Sequence, residues 1–267
     1  MRVFKYITDS TLNVEKNVPL QFALRHSMRI FPSNALYTMI PKNGCSSLRY
    51  SIAVANGCVA GPENLNWIHQ NNQTFKADLE SAYRSEYAFI VLRCPYRRLL
   101  SAFYDKIVNV DIESWELFAL TERKIHPHDM NFSRFIDMIA SLPRSKWDPH
   151  WRPQSDFLLF EEYDDVFAVE NYDWMKKTVK KKAGFEIIDT RPMLRHDRDV
   201  DQDNVEDDAD AAHYAAIKLL NMKRQGVFYS DKSFFPAGVL EKINRLYDDD
   251  IRLYRSSGFG HLSLIQR

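Results

Sequence analysis

The chain lacks any long hydrophobic run. No segment approaches the roughly 20 apolar residues that a membrane-spanning helix needs. The first twenty positions are broken by Lys5, Asp9, Glu15 and Lys16, so a secretory leader is not expected either. Cysteine is scarce. Cys45, Cys58 and Cys94 are scattered through 267 residues, an odd number that excludes a disulfide-stapled fold and points to free thiols in a reducing compartment. A cytoplasmic location follows as an expectation. Net charge is missing as well: Lys+Arg and Asp+Glu stand at 36 each. That balance argues against a protein that wraps nucleic acid or coats an acidic membrane through bulk charge. It leaves room for a local basic pocket, since a few arginines serve one phosphate. There is no internal repeat and no low-complexity tract. The glycosylation sequons at Asn72 and Asn131 read as chance matches.

What is present is the profile of a soluble globular protein, with 45% hydrophobic and 27% charged residues. Aromatics at 13% supply apolar area for a sizeable core. The length fits one α/β enzyme domain with insertions, so residues 1–267 are expected to form a single domain. Residues 35–40 (ALYTMI) end at Pro41 and read as a buried strand, and 87–92 (YAFIVL) is the clearest strand of all. Residues 65–69 form a weaker strand candidate, and 157–160 and 166–169 two more. Helices are expected over 47–55, 74–85, 96–108, most of 112–142 with a loop at 126–130, 211–223 and 237–254. Strand, loop and helix in succession predict a parallel sheet with helices on both faces. Ligands then sit at the carboxyl ends of the strands, which makes residues 41–49 and 93–101 neighbours.

Residues 197–210, DRDVDQDNVEDDAD, alternate aspartates in the manner of a calcium loop. Gln202 stands where the turn glycine belongs, so an exposed, mobile acidic loop is expected and no metal site.

The most informative segment is Pro41-Lys42-Asn43-Gly44-Cys45-Ser46-Ser47-Leu48-Arg49. It follows a strand and opens a helix, whose unpaired N–H groups and dipole bind anions. Gly44 admits close approach to a phosphate, Ser46 and Ser47 add hydroxyls, and Lys42 adds a charge at the entrance. The lysine precedes the glycine. A nucleoside-triphosphatase loop places it after the last glycine and directly before Ser or Thr, so metal-dependent ATP chemistry lacks its usual handle. The plainer reading is a strand-to-helix turn with Ser46 as N-cap. The second segment, FIVLRCPYRRLLSAFY from Phe89 to Tyr104, puts Arg93 at the end of a buried strand, where a charge needs a partner. Ser101 follows one to two helical turns later. Arginine with a hydroxyl suits a terminal phosphate. One of Arg97 and Arg98 is expected to be a surface charge.

These residues resemble a known family. PKNGCSSLR is similar to the 5′-phosphosulfate loop of sulfotransferases, Pro-Lys-x-x-x-[ST]-[ST], and RCPYRRLLS to their 3′-phosphate segment, Arg-[DE]-Pro-x-x-Arg-x-x-Ser. Asp148-Pro-His150-Trp151-Arg-Pro153-Gln154, with Tyr163-Asp164 and Val169-Glu170, resembles a segment of the carbohydrate branch, the chondroitin and dermatan type. The stretch from Leu246 to Phe259 resembles the family's terminal helix. Cys94 departs from the pattern, replacing the usual acid. The missing membrane anchor points to a soluble relative of bacterial type.

The resemblance implies a P-loop-NTPase-like three-layer α/β/α fold with a central parallel sheet and additional helices. It implies 3′-phosphoadenosine 5′-phosphosulfate (PAPS) as sulfuryl donor, no metal, and a carbohydrate or other hydroxyl-bearing acceptor. The cofactor-binding residues it implies are Lys42, Asn43, Gly44, Cys45, Ser46, Ser47, Arg93 and Ser101. Lys42 would also be catalytic, neutralising charge on the bridging oxygen. The acceptor hydroxyl needs a base that titrates near working pH, which favours histidine. His69, at the end of the 65–69 strand, stands first and His150 second, with Asp111 and Glu113 after them; each histidine is otherwise structural. Trp151, Gln154 and Trp115 would line an acceptor cleft or pack in the core. Two other readings remain: a nucleotide-dependent phosphotransferase on a related fold, and a non-catalytic nucleotide-binding module.

Overall fold

YAFIVL offers solvent no polar position, and it forms a strand over Tyr87–Leu92 whose six residues are all buried. An apolar run of this kind belongs in the middle of a parallel sheet covered on both faces. The computed structural model describes residues 2–7, 14–71, 73–194 and 205–266. In chain order its elements are α1 (Val18–Arg25), β1 (Ser27–Ile30), β2 (Ala35–Thr38), α2 (Cys45–Ala55), α3 (Trp67–Gln70), α4 (Leu79–Tyr83), β3 (Tyr87–Leu92), α5 (Pro95–Ala102), α6 (Ile112–Leu120), α7 (Phe132–Ser141), β4 (Asp165–Ala168), α8 (Tyr172–Ala183), α9 (Arg191–Leu194), β5 (Val205–Glu206), α10 (Ala216–Arg224), β6 (Phe228–Tyr229), α11 (Ala237–Leu246) and α12 (Asp248–Tyr254). Two compact units share the chain: Met1–Arg93 with Pro153–Arg195, and Cys94–Arg152 with His196–Arg267.

The first unit holds a four-stranded sheet in the order β1-β2-β3-β4. β2, β3 and β4 are parallel, with Tyr37 opposite Phe89 and Phe89 opposite Asp165. β1 runs antiparallel at the edge, Ser27 opposite Thr38. Side chains alternate across the pleat. Tyr37, Phe89, Val91 and Phe167 face one way and pack with Leu48 and Ile52 of α2 and Met175 and Val179 of α8. Leu36 and Ala88 face the other way, with Leu20 and Leu24 of α1 and Ala82 of α4. Helix, sheet and helix make three layers here, and the sheet is mostly parallel. α1 is opened by Asn17, whose side chain accepts the Leu20 N–H at 3.1 Å.

Phe89 is the hub of the first face. Its ring stacks on Tyr37 at 5.1 Å and Tyr87 at 5.6 Å and meets Phe167 edge-on at 5.9 Å. The Phe89→Ala variant is expected to lose about 3–5 kcal/mol of stability, the cost of a large core cavity, read as a drop in the urea midpoint. A loss under about 1 kcal/mol would show that the site collapses freely.

The second unit is helical and aromatic. Phe103 meets Phe132 at 5.2 Å and Phe135 at 5.6 Å, and Phe135 meets Trp151 at 5.5 Å. α5 runs on into a π-helical turn, Phe103–Val108. β5 and β6 pair in parallel.

Several expectations need correction. Residues 65–69 are no strand: Trp67–Gln70 is a single helical turn. Residues 157–160 are no strand either. Gln154–Phe157 is a 3-10 turn, and Phe160 makes only an isolated bridge to Phe4. β1 was not expected at all. Of the acidic segment 197–210, residues 197–204 lie outside the described residues, and Val205–Glu206 is strand β5. Asn72 also lies outside them. Asn131 is buried and caps α7, accepting the Arg134 N–H at 2.8 Å. Among the described residues no helix is long and apolar enough to cross a membrane.

Candidate functional site

β2 ends at Thr38, and the chain turns through Pro41–Gly44 into α2. Lys42 and Gly44 both adopt left-handed backbone angles, φ 70° each. At Gly44, the N-cap of α2, this conformation favours glycine. A Cβ there would meet nothing within 4 Å, so the backbone angle rather than crowding calls for glycine, and that side of the loop is open. Lys42 bears the conformation with a side chain attached, as residues at functional loops do. The helical ladder starts with Leu48 N–H to Gly44 O at 3.3 Å. The N–H groups of Cys45, Ser46 and Ser47 precede it and have no acceptor inside the helix. The expected Ser46 cap is therefore replaced by Gly44. The Ser47 hydroxyl is buried and engaged: it accepts the Thr190 N–H at 3.1 Å and lies 3.0 Å from the Thr190 hydroxyl. Beneath the loop, burial pushes the Tyr37 phenol well above its ordinary pKa, with Cys45 adding to the rise and Arg49 opposing it.

The loop is tied to the end of β3. Asn43 is fully buried, and its Nδ2 donates to Val91 O at 2.8 Å and to Gln154 Oε1 at 2.6 Å. The same Oε1 accepts the Arg93 N–H at 3.0 Å, and Gln154 Nε2 donates to Arg93 O at 3.0 Å. Arg93 Nη1 donates to Lys42 O at 3.0 Å. Lys42, Asn43 and Arg93, expected as neighbours, are so brought together. Gln154 is buried in this network rather than lining a cleft.

His69 lies exposed on α3, its backbone N–H on Asn66 O at 3.1 Å. The strand end expected to carry it is absent. α3 is anchored to α2 by Arg49, whose guanidinium donates to Ile68 O.

In the second unit Cys94 is buried at the start of α5, and its Sγ accepts the Leu264 N–H at 3.3 Å. Arg97 is the surface charge, 3.5 Å from Asp231. Arg98 is buried and donates to Arg152 O at 2.8 Å and Pro149 O at 3.1 Å. Tyr247 donates to Trp151 O at 2.5 Å. These donors hold the carbonyls of the segment that carries His150. Ser101 is half-buried on α5.

His150 Nδ1 lies 2.6 Å from Asp148 Oδ1, which also accepts the His150 backbone N–H at 2.8 Å. Glu113 Oε1 stands 3.5 Å from the same ring nitrogen. Two carboxylates on one side call for a proton on Nδ1 and leave Nε2 as the basic nitrogen. Lys106 holds Glu113 at 3.0 Å and Asp111 at 2.8 Å. Burial alone pulls the lysine's pKa down, but its bond to Asp111 and the charges of Asp105 and Glu113 outweigh that, so it stays firmly protonated. The bond to Lys106 in turn holds the Asp111 carboxyl below its ordinary value. Trp151 is a core residue, while Trp115 is exposed and meets His126 edge-on at 5.3 Å. Sequence reasoning missed Asp148 as the partner of His150, although its place two residues earlier was a legible signal. It also missed the roles of Arg98 and Gln154. Among the described residues no group of three or more His, Cys, Asp or Glu is placed to hold a metal.

Comparison with known proteins adds an independent line. Carbohydrate sulfotransferase 14 of Danio rerio is 24% identical over 167 residues, covering 56% of this chain and 46% of that protein. Carbohydrate sulfotransferase 10 of Xenopus laevis is 34% identical over 101 residues, covering 33% of this chain and 28% of that protein. The chain thus spans less than half the length of either relative. No solved structure matches it. The sequence profile of the sulfotransferase family matches residues 28–256, a span that takes in the β2–α2 loop, the end of β3 and the His150 segment, and the chain belongs to that family.

Proposed function

We propose that this protein transfers a sulfuryl group from PAPS to a hydroxyl of a carbohydrate acceptor by in-line displacement. The observation that carries the reading is the β2–α2 loop. Its left-handed Lys42 and Gly44 open a helix whose first N–H groups face no internal acceptor, and Arg93 is bonded to the same loop. Such a start to a helix suits an anion. Family membership and the names of the relatives support sulfuryl transfer to a sugar.

The donor supplies the sulfuryl group and a nucleotide leaving group. The N–H groups of Cys45, Ser46 and Ser47 hold the 5′-phosphosulfate, with Asn43 and Gly44 shaping the loop around it. Lys42 neutralises the charge that grows on the bridging oxygen, while Arg93 and Ser101 hold the 3′-phosphate by a guanidinium fork and a hydroxyl. His150 takes the acceptor proton at Nε2, its ring fixed by Asp148. His69 is the second candidate base. Positioning and fixed charges suffice for such a displacement, with no covalent enzyme intermediate.

The test is transfer of ³⁵S from labelled PAPS to a panel of desulfated glycans. Label on a glycan, with an equal amount of adenosine 3′,5′-bisphosphate released, is expected. Donor binding without transfer to any hydroxyl would favour the non-catalytic module, and phosphate transfer from ATP would favour the phosphotransferase.

A further inference from the structure

We infer that Gln154 is a positioning residue that locks the two anion-holding segments of the first unit in register. The inference rests on the donor reading above, in which the loop at Lys42–Ser47 takes the 5′ end and Arg93 the 3′-phosphate.

The pairing of β3 with β4 ends at Leu92 opposite Ala168. The next backbone unit, Arg93, has both an N–H and a C=O to satisfy. A buried, unpaired backbone group is costly. Gln154 supplies both partners from one side chain: Oε1 accepts the N–H and Nε2 donates to the C=O, each at 3.0 Å. A primary amide offers an acceptor and a donor at fixed separation. It acts here as one more residue of strand ladder, added where the strand carries its functional arginine.

The amide's second task is on the loop. Oε1 also accepts Asn43 Nδ2 at 2.6 Å, and the other Nδ2 bond goes to Val91 O at 2.8 Å. Loop and strand end are thus joined through a buried amide pair, and one oxygen carries the bonds to both. Gln154 itself is set rigidly. It opens the 3-10 turn Gln154–Phe157 after Pro153, and Phe157 packs against Phe22 at 4.9 Å. Lys5 Nζ holds the Ser155 carbonyl at 2.6 Å. No atom of Gln154 needs to touch the nucleotide. Its effect is on the spacing of the two phosphate subsites, and spacing decides how much a ligand with both phosphates gains over one with a single phosphate.

The experiment is calorimetric titration of wild type and Gln154→Met with adenosine 3′,5′-bisphosphate, adenosine 5′-monophosphate and adenosine 3′-monophosphate. Methionine keeps the length and loses both hydrogen-bonding atoms. The bisphosphate Kd is expected to rise at least tenfold or so and each monophosphate Kd by less than about threefold, because only the two-phosphate gain depends on register. In turnover the donor KM should rise while the acceptor KM holds. No loss for the bisphosphate, or the same loss for all three ligands, overturns the inference alone. Wild-type protein that does not bind the bisphosphate overturns the donor reading, and the inference with it. A second measurement needs no variant. The Arg93 amide of nucleotide-free wild type is expected to exchange slowly with deuterium, and exchange as fast as an exposed loop amide overturns the clamp.

Discussion

The Lys42→Met variant is expected to lose about 10²–10³ in kcat, the magnitude seen when one preorganised charge-stabilising donor is removed from an active site. Methionine keeps the Cβ and the stem, so the left-handed backbone at position 42 carries the same strain in both proteins, and only the ammonium is lost. In the proposed mechanism that ammonium meets charge that develops as the sulfuryl group departs. An interaction made only in the transition state lowers kcat and kcat/KM together and leaves ground-state binding nearly intact. The donor Kd, read by titration, should therefore move little. A kcat within about threefold of wild type would remove Lys42 from the chemistry.

The second large effect is at His150. The His150→Ala variant is expected to lower kcat by about 10²–10⁴-fold, the range for general-base catalysis, with the bisphosphate Kd unchanged. The geometry makes a sharper prediction through Asp148. At 2.6 Å from Nδ1 its carboxylate fixes which ring nitrogen is basic. Asp148→Asn keeps the shape and can donate where the carboxylate only accepts, which permits the wrong tautomer. Its kcat should fall at least tenfold, in the same direction as His150→Ala and by less, since Glu113 still stands 3.5 Å from the ring. His69→Ala should be near wild type. If His69→Ala removes turnover and His150→Ala does not, the two histidines exchange roles.

The residues explain what was legible. β3 announced itself because a strand buried on both faces has no polar position, and the β2–α2 loop because Pro41 and Gly44 punctuate the passage from an apolar strand into a helix. β1 was missed because Ser27–Ile30 is an edge strand of four residues, one of them Arg29. Its place depends on pairing with β2, which local pattern does not encode. Residues 65–69 and 157–160 misled for a related reason. Short apolar runs suit a strand or a helical turn equally, and only neighbouring elements decide between them. Arg93 was recognised as a charge in need of a partner, but the partners of its backbone lie 61 positions away in Gln154. Side-chain amides carry no spacing signature. The same holds for Arg98: the sequence puts one of Arg97 and Arg98 at the surface without saying which, and it is Arg98 that is buried and holds the carbonyls of Pro149 and Arg152.

In the proposed function the β2–α2 loop and Arg93 form a donor site for a 3′,5′-substituted adenosine. Calorimetric titration with adenosine 3′,5′-bisphosphate, with and without Mg²⁺, alongside ATP and on wild type and Arg93→Ala, tests it most directly. Tight binding is expected that ignores the metal, prefers the bisphosphate to ATP and is lost in Arg93→Ala. Absence of binding, or Mg²⁺-dependent binding that prefers ATP, would contradict it.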